Sequence, residues 1–373
     1  MKYLSRISDI PLPIRMAVIS FLFSLAVYSS SVFLPLYADS LGASRFQIGL
    51  IGSAYGIAYF ASSFVFGRQS DRHGRLAFIR LGLGLVAVAY VLQVTAHNSM
   101  GLLAIRALVG FCLGISSAAI MAYVYEAEGQ VGRFASYGSL GWLCGCVAAA
   151  AIHNYYALFA ISGAASALAF CLSFTFKEDR SNNIQVASFP LSLIRTNSKI
   201  YIPFFLRCLG SYAVWAIFPL FLVSIGASKS WVAILDGINM AFQVILMRYV
   251  ERFSSTKAIA VGLIASAIVF ACYGLATHYL QLIPVEIILA ISWSCLWVGA
   301  LSFLMGRSVE RGTAAGLLYS ITYLSSGLGP LIGGFISGRW SFQLLMFVAS
   351  GLTFLGLILS RVLPANKQVA RSE

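Results

Sequence analysis

Charged residues are scarce in this sequence. They account for 10% of the 373 residues, and apolar residues account for 60%, whereas a soluble domain has about 25% charged and about 45–50% apolar residues. So many apolar side chains cannot all be buried in a water-soluble domain, and most of the surface must therefore face lipid. The sequence also has continuous apolar runs of about twenty residues rather than the shorter alternation of barrel strands. We therefore expect an all-α polytopic membrane protein.

Residues that could carry enzymatic chemistry are also few. There is no paired-carboxylate motif of the DDxxD type, no HExxH motif and no glycine-rich phosphate loop, so we expect no enzyme, no ATP hydrolysis, no cofactor and no metal site. None of the four histidines lies deep in an apolar run, which argues against a histidine proton relay. All seven cysteines fall inside apolar runs, which indicates packing rather than redox chemistry. They are Cys112, Cys144, Cys146, Cys171, Cys208, Cys272 and Cys295.

Twelve apolar runs predict twelve transmembrane spans, which we number in chain order. Each is long enough to cross a hydrocarbon core of about 30 Å as a helix. They lie near residues 14–38, 46–67, 76–96, 100–124, 134–152, 156–176, 201–224, 231–249, 258–277, 283–305, 313–336 and 341–362. The predicted domains are an N-terminal six-helix bundle (1–176), a cytoplasmic linker (177–199) and a C-terminal six-helix bundle (200–373).

The basic residues are distributed unevenly between the two sides of the predicted membrane. If the N-terminus is cytoplasmic, 21 of the 25 lysines and arginines lie on the cytoplasmic side, and we count Arg207 among them. The positive-inside rule then places both termini in the cytoplasm of a protein of the plasma membrane. The same rule explains the net charge of +13 without a nucleic-acid partner, and anionic lipid at the cytoplasmic face is the natural partner of these side chains. The other four basic residues are Arg45, Lys229 and Arg339 on the opposite side and Arg106 inside a span.

The two halves of the chain repeat a short pattern. Seven residues recur 184 positions later, and a basic residue follows the pattern in both copies, as Arg45 and as Lys229. Such a repeat indicates a duplication, so we predict two pseudo-symmetric six-helix bundles. The first copy has Tyr28, Pro35, Leu36, Ser40, Gly42, Ala43 and Ser44, and the second has Tyr212, Pro219, Leu220, Ser224, Gly226, Ala227 and Ser228.

The predicted loop between spans 2 and 3 carries a distinctive motif. It reads Gly67-Arg-Gln-Ser-Asp71-Arg72-His-Gly74-Arg75 and resembles the signature loop of the major facilitator superfamily in order, side and spacing. Span 4 has the similar arginine pattern of that family around Arg106, and residues 126–133 resemble its short acidic-to-basic loop. The resemblance implies a monomeric secondary transporter in which two bundles alternate access to a central cavity.

The glycine–proline packing motif of the family occurs in span 11, where residues 327–334 contain Pro330. In the drug–proton antiporters of the family this motif belongs in span 5. Span 5 of this chain has the glycines Gly138, Gly141 and Gly145 but no proline. The sequence therefore departs from the antiporter pattern at this position.

The signature loop is expected to act as a conformational latch. Gly67 allows two helices to approach closely, and Asp71 is placed to accept hydrogen bonds from the N-terminus of a neighbouring helix, which the family resemblance identifies as span 11. Arg72 or Arg75 would pair with Glu126. The alternative is that the basic residues only orient the loop. The predicted latch residues are Gly67, Asp71, Arg72, Gly74, Arg75, Glu126 and Arg133.

Two ionisable residues lie about two turns inside predicted spans, where such groups are costly and usually functional. Asp236 shares one face of span 8 with Asn239 and Gln243. Asp236 is either a proton-coupling or cargo-binding group or a structural partner. Arg106 either binds an anion or favours the charged form of a nearby carboxylate, or it is a structural hydrogen-bond hub. Glu286 is expected near the outer surface.

Aromatic residues occur at several positions that could line a central cavity. The family resemblance implies that spans 1, 4, 7 and 10 surround it, which points to Tyr28, Tyr212, Trp215, Trp293 and Trp297. Such side chains suit an amphiphilic or aromatic cargo, although aromatic stripes also serve as packing or interface anchors.

Two transport functions fit this sequence. The first is proton-coupled efflux of small amphiphilic or drug-like molecules, since the core is aromatic and holds one deep carboxylate. The second is import or facilitated uptake of a sugar, organic acid or other metabolite, since Arg106 suits an anion and Asn239 and Gln243 suit hydroxyl groups. A receptor or scaffold that transports nothing is a third reading. The expected partners are a small-molecule substrate, protons and the lipid bilayer.

Overall fold

The computed structural model describes residues 10–128, 131–177, 191–250, 253–307 and 311–360. The described residues form α-helices with two short 3-10 turns and contain no strand. Twelve spans follow one another in the predicted order, which confirms the all-α fold class. A short helix, Leu191–Thr196, lies in the predicted linker, and the domain boundaries at 176 and 200 stay predictions because residues 178–190 fall outside the described part.

The bounds of the spans agree with the apolar runs to within several residues. Spans 1 to 6 are Leu12–Ser31 continued by Leu34–Ser40, Arg45–His73, Arg75–Leu92, Ser99–Glu128, Val131–Ile152 and Tyr155–Ser173. Spans 7 to 12 are Ser198–Trp215 continued by Phe218–Ser224, Lys229–Val250, Ser255–Leu275, Leu282–Arg307, Arg311–Arg339 and Phe342–Ser360. The 3-10 turns Gln93–Thr95 and Tyr279–Gln281 adjoin spans 3 and 10.

Spans 1 and 7 are both broken at the same point of the repeat. Pro35 and Pro219 stand in the first turn of the second helix of each span, where a proline is tolerated because its missing N–H needs no partner. The two parts of span 7 meet at an angle of 51°. Gly42 and Gly226 then end the two spans with φ angles of +79° and +92°, which favour glycine. The repeat in the sequence is therefore a repeat in the backbone.

Packing arranges the spans in two equivalent series. In the N-terminal half each span packs on the next in the order 2, 4, 3, 6, 1, 5, and in the C-terminal half the order is 8, 10, 9, 12, 7, 11. Adding six to each number of the first series gives the second, which is the expected pseudo-symmetry. The halves meet where span 2 packs on span 11 and span 5 packs on span 8.

Spans 2 and 11, which pack on each other at this seam, are less apolar than the other spans. Among the described residues, eight helices are long and apolar enough to cross a membrane, or nine if the bent span 7 is counted. Spans 2 and 11 are not among them, and the described apolar part of span 5, Ser136–Ile152, is shorter than a full span. Close helix contact explains this composition, because small and polar residues let helices approach where lipid is excluded. Gly56, for example, faces the backbone of Ser326 and Gly327.

We call the end of the bundle that carries Arg75, Lys177, Arg195 and Lys257 the basic end. At the opposite end one apolar cluster contains buried residues of both halves, including Phe33 and Phe221. Toward the basic end the buried clusters belong to one half each. The described contacts therefore hold the two halves together at the opposite end.

Candidate functional site

A hydrogen bond between the halves marks the centre of the site. Tyr28 in span 1 donates its hydroxyl to Oδ2 of Asp236 in span 8 over 2.8 Å. Tyr28 is 3% exposed and packs against Trp142, with ring centroids 5.3 Å apart. Asp236 keeps a partly exposed surface although it lies two helical turns inside span 8. The carboxyl group of a partly exposed residue thus joins one half to the other.

Asn239 and Gln243 lie on the same face of span 8 but turn toward span 10. The Asn239 amide donates to both the Oε2 and the backbone oxygen of Glu286, at 3.3 Å each. Gln243 donates to the Asn239 side-chain oxygen, and both amides are buried. These two residues, which the sequence predicts as contacts for cargo, are therefore engaged in a buried polar network.

Glu286 is the acceptor of this network, and its expected place near the outer surface is wrong. It is 1% exposed, and its Oε1 accepts a hydrogen bond of 2.6 Å from the hydroxyl of Tyr273 in span 9. Span 10 begins at Leu282 after a 3-10 turn, so Glu286 lies one turn inside it. The sequence gives its position near a helix start but no sign of the partners that spans 8 and 9 supply.

Removal of the Tyr273 hydroxyl is expected to destabilise the C-terminal half. Tyr273→Phe leaves the buried Glu286 without one donor, and a buried polar group that loses its hydrogen-bond partner costs about 1–3 kcal/mol. The thermal unfolding temperature of the purified protein should fall. Tyr156→Phe, a matched change at an exposed ring, should leave it unchanged, and equal shifts for both variants would contradict the network.

Arg106 is buried in the N-terminal half, where it donates hydrogen bonds to three polar side chains. Its Nη1 donates to Gln93 Oε1 at 3.2 Å and to Ser30 Oγ at 3.4 Å, and its Nη2 donates to Ser31 Oγ at 3.3 Å. The guanidinium also lies 4.4 Å from the centre of the Tyr55 ring, an arrangement that stabilises a cation. Arg106 thus connects span 4 to span 1 and to the end of span 3.

Arg207 is a second buried arginine, and its assignment to the cytoplasmic side is wrong. It is 0% exposed, its Nε donates to Ser266 Oγ at 3.0 Å, and its Nη1 donates to Ser211 Oγ at 3.4 Å. Span 7 begins at Ser198, so Arg207 lies between two and three turns inside it. Ser211, four residues further on the same face, is the sequence signal for an internal partner.

The aromatic candidates of the C-terminal half gather around Arg207. Its guanidinium lies 4.8 Å from the Trp293 ring and 5.6 Å from the Trp215 ring. Trp293 stacks on Trp297 at 5.3 Å, and Tyr212 meets Trp215 edge-on at 5.7 Å. Trp297 is buried, whereas Tyr212, Trp215 and Trp293 remain partly exposed. The structure therefore brings four predicted residues together around an arginine that the sequence did not single out.

Of the predicted latch residues, the structure describes only Gly74 and Arg75, at the turn between spans 2 and 3. Gly74 separates span 2 from span 3 with a φ angle of +97°, a conformation that favours glycine, and Arg75 begins span 3. The predicted partners of the latch lie outside the described side chains. They are Gly67, Asp71, Arg72, Glu126 and Arg133.

No group of three or more histidine, cysteine, aspartate or glutamate side chains that could hold a metal ion occurs within the described residues. The ionisable groups of the site instead belong to four separate hydrogen-bonded groups. These are centred on Asp236, on Glu286 and on the two arginines, and all lie within the membrane-spanning helices. Ionisable groups at such depths are usually functional, so these residues are the candidates for contact with a small molecule.

Comparison with known proteins identifies relatives along nearly the whole chain. The model of the Major Facilitator Superfamily matches residues 16–241 and again residues 200–372. The quinolone resistance protein NorA of Staphylococcus aureus is 22% identical over 349 residues, which cover 87% of this chain and 89% of NorA. The multidrug resistance protein MdtG of Klebsiella pneumoniae is 24% identical over 360 residues, which cover 88% of this chain and 87% of MdtG.

Solved structures share the fold. A mutant of the nucleoside transporter NupG superposes with a TM-score of 0.76 at 15% identity and covers 94% of this chain and 99% of its own. The human organic anion transporter MFSD10 superposes with a TM-score of 0.73 at 19% identity and covers 94% of this chain and 100% of its own. At these identities the likeness concerns the arrangement of helices alone.

Proposed function

Because this chain belongs to the Major Facilitator Superfamily and is a transporter rather than an enzyme, we propose that it exports small amphiphilic or drug-like molecules in exchange for protons. Transport proceeds by alternating access, in which the two six-helix bundles rock about the central site. The basic end faces the cytoplasm of the cell, in accordance with the positive-inside rule, and the protein works as a monomer in the plasma membrane.

The observation that carries the proposal is the hydrogen bond from Tyr28 to Asp236. It crosses from one half to the other, and an ionised carboxylate accepts a stronger hydrogen bond than a protonated one. Ionised Asp236 therefore favours the arrangement in which the halves meet at the opposite end. Protonation weakens this contact and allows the halves to part there, so one proton at Asp236 biases the rocking motion.

The walls of the site suit an amphiphilic cargo. Tyr212, Trp215 and Trp293 are partly exposed, and their rings offer large apolar faces with hydroxyl and indole groups for polar contacts. The names of two relatives, the quinolone resistance protein NorA and the multidrug resistance protein MdtG, support the same class of cargo.

The alternative is transport of a polar or anionic metabolite. The buried cations Arg106 and Arg207 favour it, since a guanidinium can bind a carboxylate or phosphate. The nucleoside and organic anion transporters among the solved structures are in line with this alternative. The direction of transport and its coupling to the proton gradient distinguish the two functions.

Transport in inverted membrane vesicles tests the proposal. Vesicles that contain the protein should accumulate a fluorescent amphiphilic dye when their interior is made acidic, and collapse of the proton gradient should release it. Vesicles without the protein are the control. Dye uptake that does not depend on the proton gradient would contradict proton coupling. Proton-driven loss of a nucleoside or organic anion from the same vesicles would favour the alternative.

Asp71→Ala is expected to weaken the latch at the basic end. We propose that Asp71 accepts hydrogen bonds from the first turn of span 11, where a carboxylate is worth about 0.3–1 kcal/mol, or about 2 kcal/mol when partly buried. The rate of dye transport should fall by about 2- to 30-fold if closure at this end limits the cycle. Transport at the normal rate would rule out the latch, and Asp71→Asn, which keeps the hydrogen-bond acceptor, should retain part of the activity.

A further inference from the structure

An apolar groove opens on the side of the bundle toward the opposite end. Its volume is about 630 Å³, and spans 2, 11 and 12 form its walls. Four of its residues are exposed apolar side chains, which in this protein means that the groove faces lipid. All its lining residues are apolar: Phe46, Leu331, Ile332, Phe335, Ile336, Trp340, Leu344 and Val348.

The rim of the groove carries fixed positive charge. Arg45 precedes the lining residue Phe46, and Arg339 precedes the lining residue Trp340. These are two of the three basic residues that the sequence places at the opposite end. The Arg45 Nη1 donates to the backbone oxygen of Ser337 at 2.8 Å, which holds its cation beside the end of span 11. Arg339 is exposed.

Trp340 indicates at which level of the membrane the groove lies. This indole is 58% exposed, and exposed tryptophans of membrane proteins lie at the level of the headgroups. The arginines at the rim are therefore level with lipid phosphates, and the apolar walls are level with acyl chains. The indole N–H of Trp340 is the one hydrogen-bonding group among these eight side chains, whereas a buried water needs two to four polar partners. An acyl chain is therefore the suitable filling.

We propose that this groove is a binding site for one anionic phospholipid, with an acyl chain between spans 2, 11 and 12 and the phosphate beside Arg339 and Arg45. The combination of an apolar groove and a basic rim selects this occupant. A polar peptide would find only the indole N–H of Trp340 as a partner in the walls. A zwitterionic lipid would gain less from the rim than an anionic one, because its headgroup cation offsets the charge of its phosphate. Each basic residue near the headgroups is expected to strengthen binding of an anionic lipid about fivefold.

The bound lipid also joins the two halves. Phe46 belongs to the N-terminal half and the other lining residues belong to the C-terminal half, so the acyl chain contacts both. Rocking that separates span 2 from span 11 at this end would divide the groove. A ligand stabilises the form that binds it, so the lipid favours the arrangement in which the halves meet at the opposite end.

Native mass spectrometry of the delipidated protein tests the site. The protein is titrated with phosphatidylglycerol and with phosphatidylcholine of the same acyl chains. The wild type should bind one phosphatidylglycerol more tightly than phosphatidylcholine. Arg339→Gln should weaken the binding of phosphatidylglycerol about fivefold and that of phosphatidylcholine by a smaller factor. Leu331→Trp, which fills the groove, should remove the tight site for both lipids.

Matched controls separate the groove from the general lipid-facing surface. Lys229→Gln removes a basic residue of the same end away from the groove, and Leu355→Trp enlarges an exposed residue of span 12 outside it. Both should bind lipid as the wild type does. Leu344→Trp fills the groove from span 12 and replaces Leu331→Trp if that variant does not fold.

Either of two results would overturn the proposal. One is a groove-filling variant that folds and still holds the lipid as tightly as the wild type. The other is equal loss of phosphatidylglycerol in Arg339→Gln and Lys229→Gln, which would mean that the charge of this end acts without a specific site. The titration does not depend on transport, so failure of the proposed export function would leave its result unaffected.

Discussion

Asp236→Asn is expected to abolish accumulation driven by the proton gradient. The amide has nearly the shape of the carboxyl group and still accepts the hydrogen bond that Tyr28 donates over 2.8 Å, but it cannot take up or release a proton. A gradient of one pH unit corresponds to about 1.4 kcal/mol, so exchange of one proton drives at most about tenfold accumulation of cargo. In the variant the cargo should only equilibrate across the vesicle membrane.

Asp39→Asn is the matched control for this change. Asp39 lies in the last turn of the second helix of span 1 and is exposed, so the same loss of a carboxylate occurs without any change at the central contact. This variant should accumulate cargo like the wild type. Gradient-driven accumulation that is unchanged in Asp236→Asn would contradict the role of Asp236 as the proton-exchanging group.

Tyr28→Phe distinguishes the effect of protonating Asp236 from the effect of its hydrogen bond with Tyr28. This variant keeps the carboxyl group of Asp236 but removes the donor that joins span 1 to span 8. Accumulation should therefore remain dependent on the gradient, while the balance between the two arrangements of the halves shifts away from closure at the opposite end. Loss of gradient dependence in Tyr28→Phe would mean that the phenol itself takes part in proton transfer.

Ligand-induced stabilisation shows whether Asp236 also contacts the cargo. A bound cargo raises the thermal stability of the native protein. If Asp236 exchanges protons only, the Asn variant should show the same stabilisation by cargo as the wild type. If the carboxylate also binds the cargo, both the stabilisation and the transport should disappear together.

The sequence predicted those features of this protein that depend on local pattern. Apolar runs predicted the twelve spans, and the recurrence of Pro35 and Gly42 as Pro219 and Gly226 predicted two equivalent halves, in which the backbone has equivalent breaks and turns. Proline and glycine act on the chain where they stand. For that reason their effects could be derived without knowledge of the packing.

The candidate site could be predicted only in part, because its geometry depends on contacts between distant spans. The sequence singled out Tyr28 and Asp236 separately, and only the packing of the two halves brings them together. Glu286 was misplaced because it lies near a predicted span boundary, where an error of one turn moves a side chain from the surface into the bundle. Arg207 lies well inside the predicted run 201–224 and was counted with the cytoplasmic loops only because the sequence gives no sign of the contacts with span 9 that bury it. Their partners, Ser266 and Tyr273, belong to span 9.

Gly56→Leu is expected to prevent close contact between the halves. A Cβ atom at Gly56 would overlap the backbone of Ser326 and Gly327 in span 11, and backbone atoms cannot turn aside as the end of a flexible side chain can. Overpacking usually costs about 1–3 kcal/mol, and a leucine at a backbone contact should reach the upper end of this range. Spans 2 and 11 would have to separate along the seam.

Gly351→Leu is the control that isolates this contact. Gly351 lies in span 12, and no atom lies within 4 Å of a Cβ built there, so the larger side chain extends toward lipid. Because leucine favours a helix over glycine by up to about 1 kcal/mol, this variant should be as stable as the wild type or slightly more so. Thermal unfolding of the two variants in the same detergent should therefore give shifts of opposite sign.

The same pair of variants also tests how the seam contributes to transport. If spans 2 and 11 must stay in close contact for the halves to meet at the opposite end, Gly56→Leu should reduce gradient-driven accumulation of cargo in every sample that still folds. Gly351→Leu should accumulate cargo normally. A Gly56→Leu protein with wild-type stability and transport would mean that the halves do not depend on the approach of Gly56 to Ser326, and the closed seam would then have to rest on spans 5 and 8.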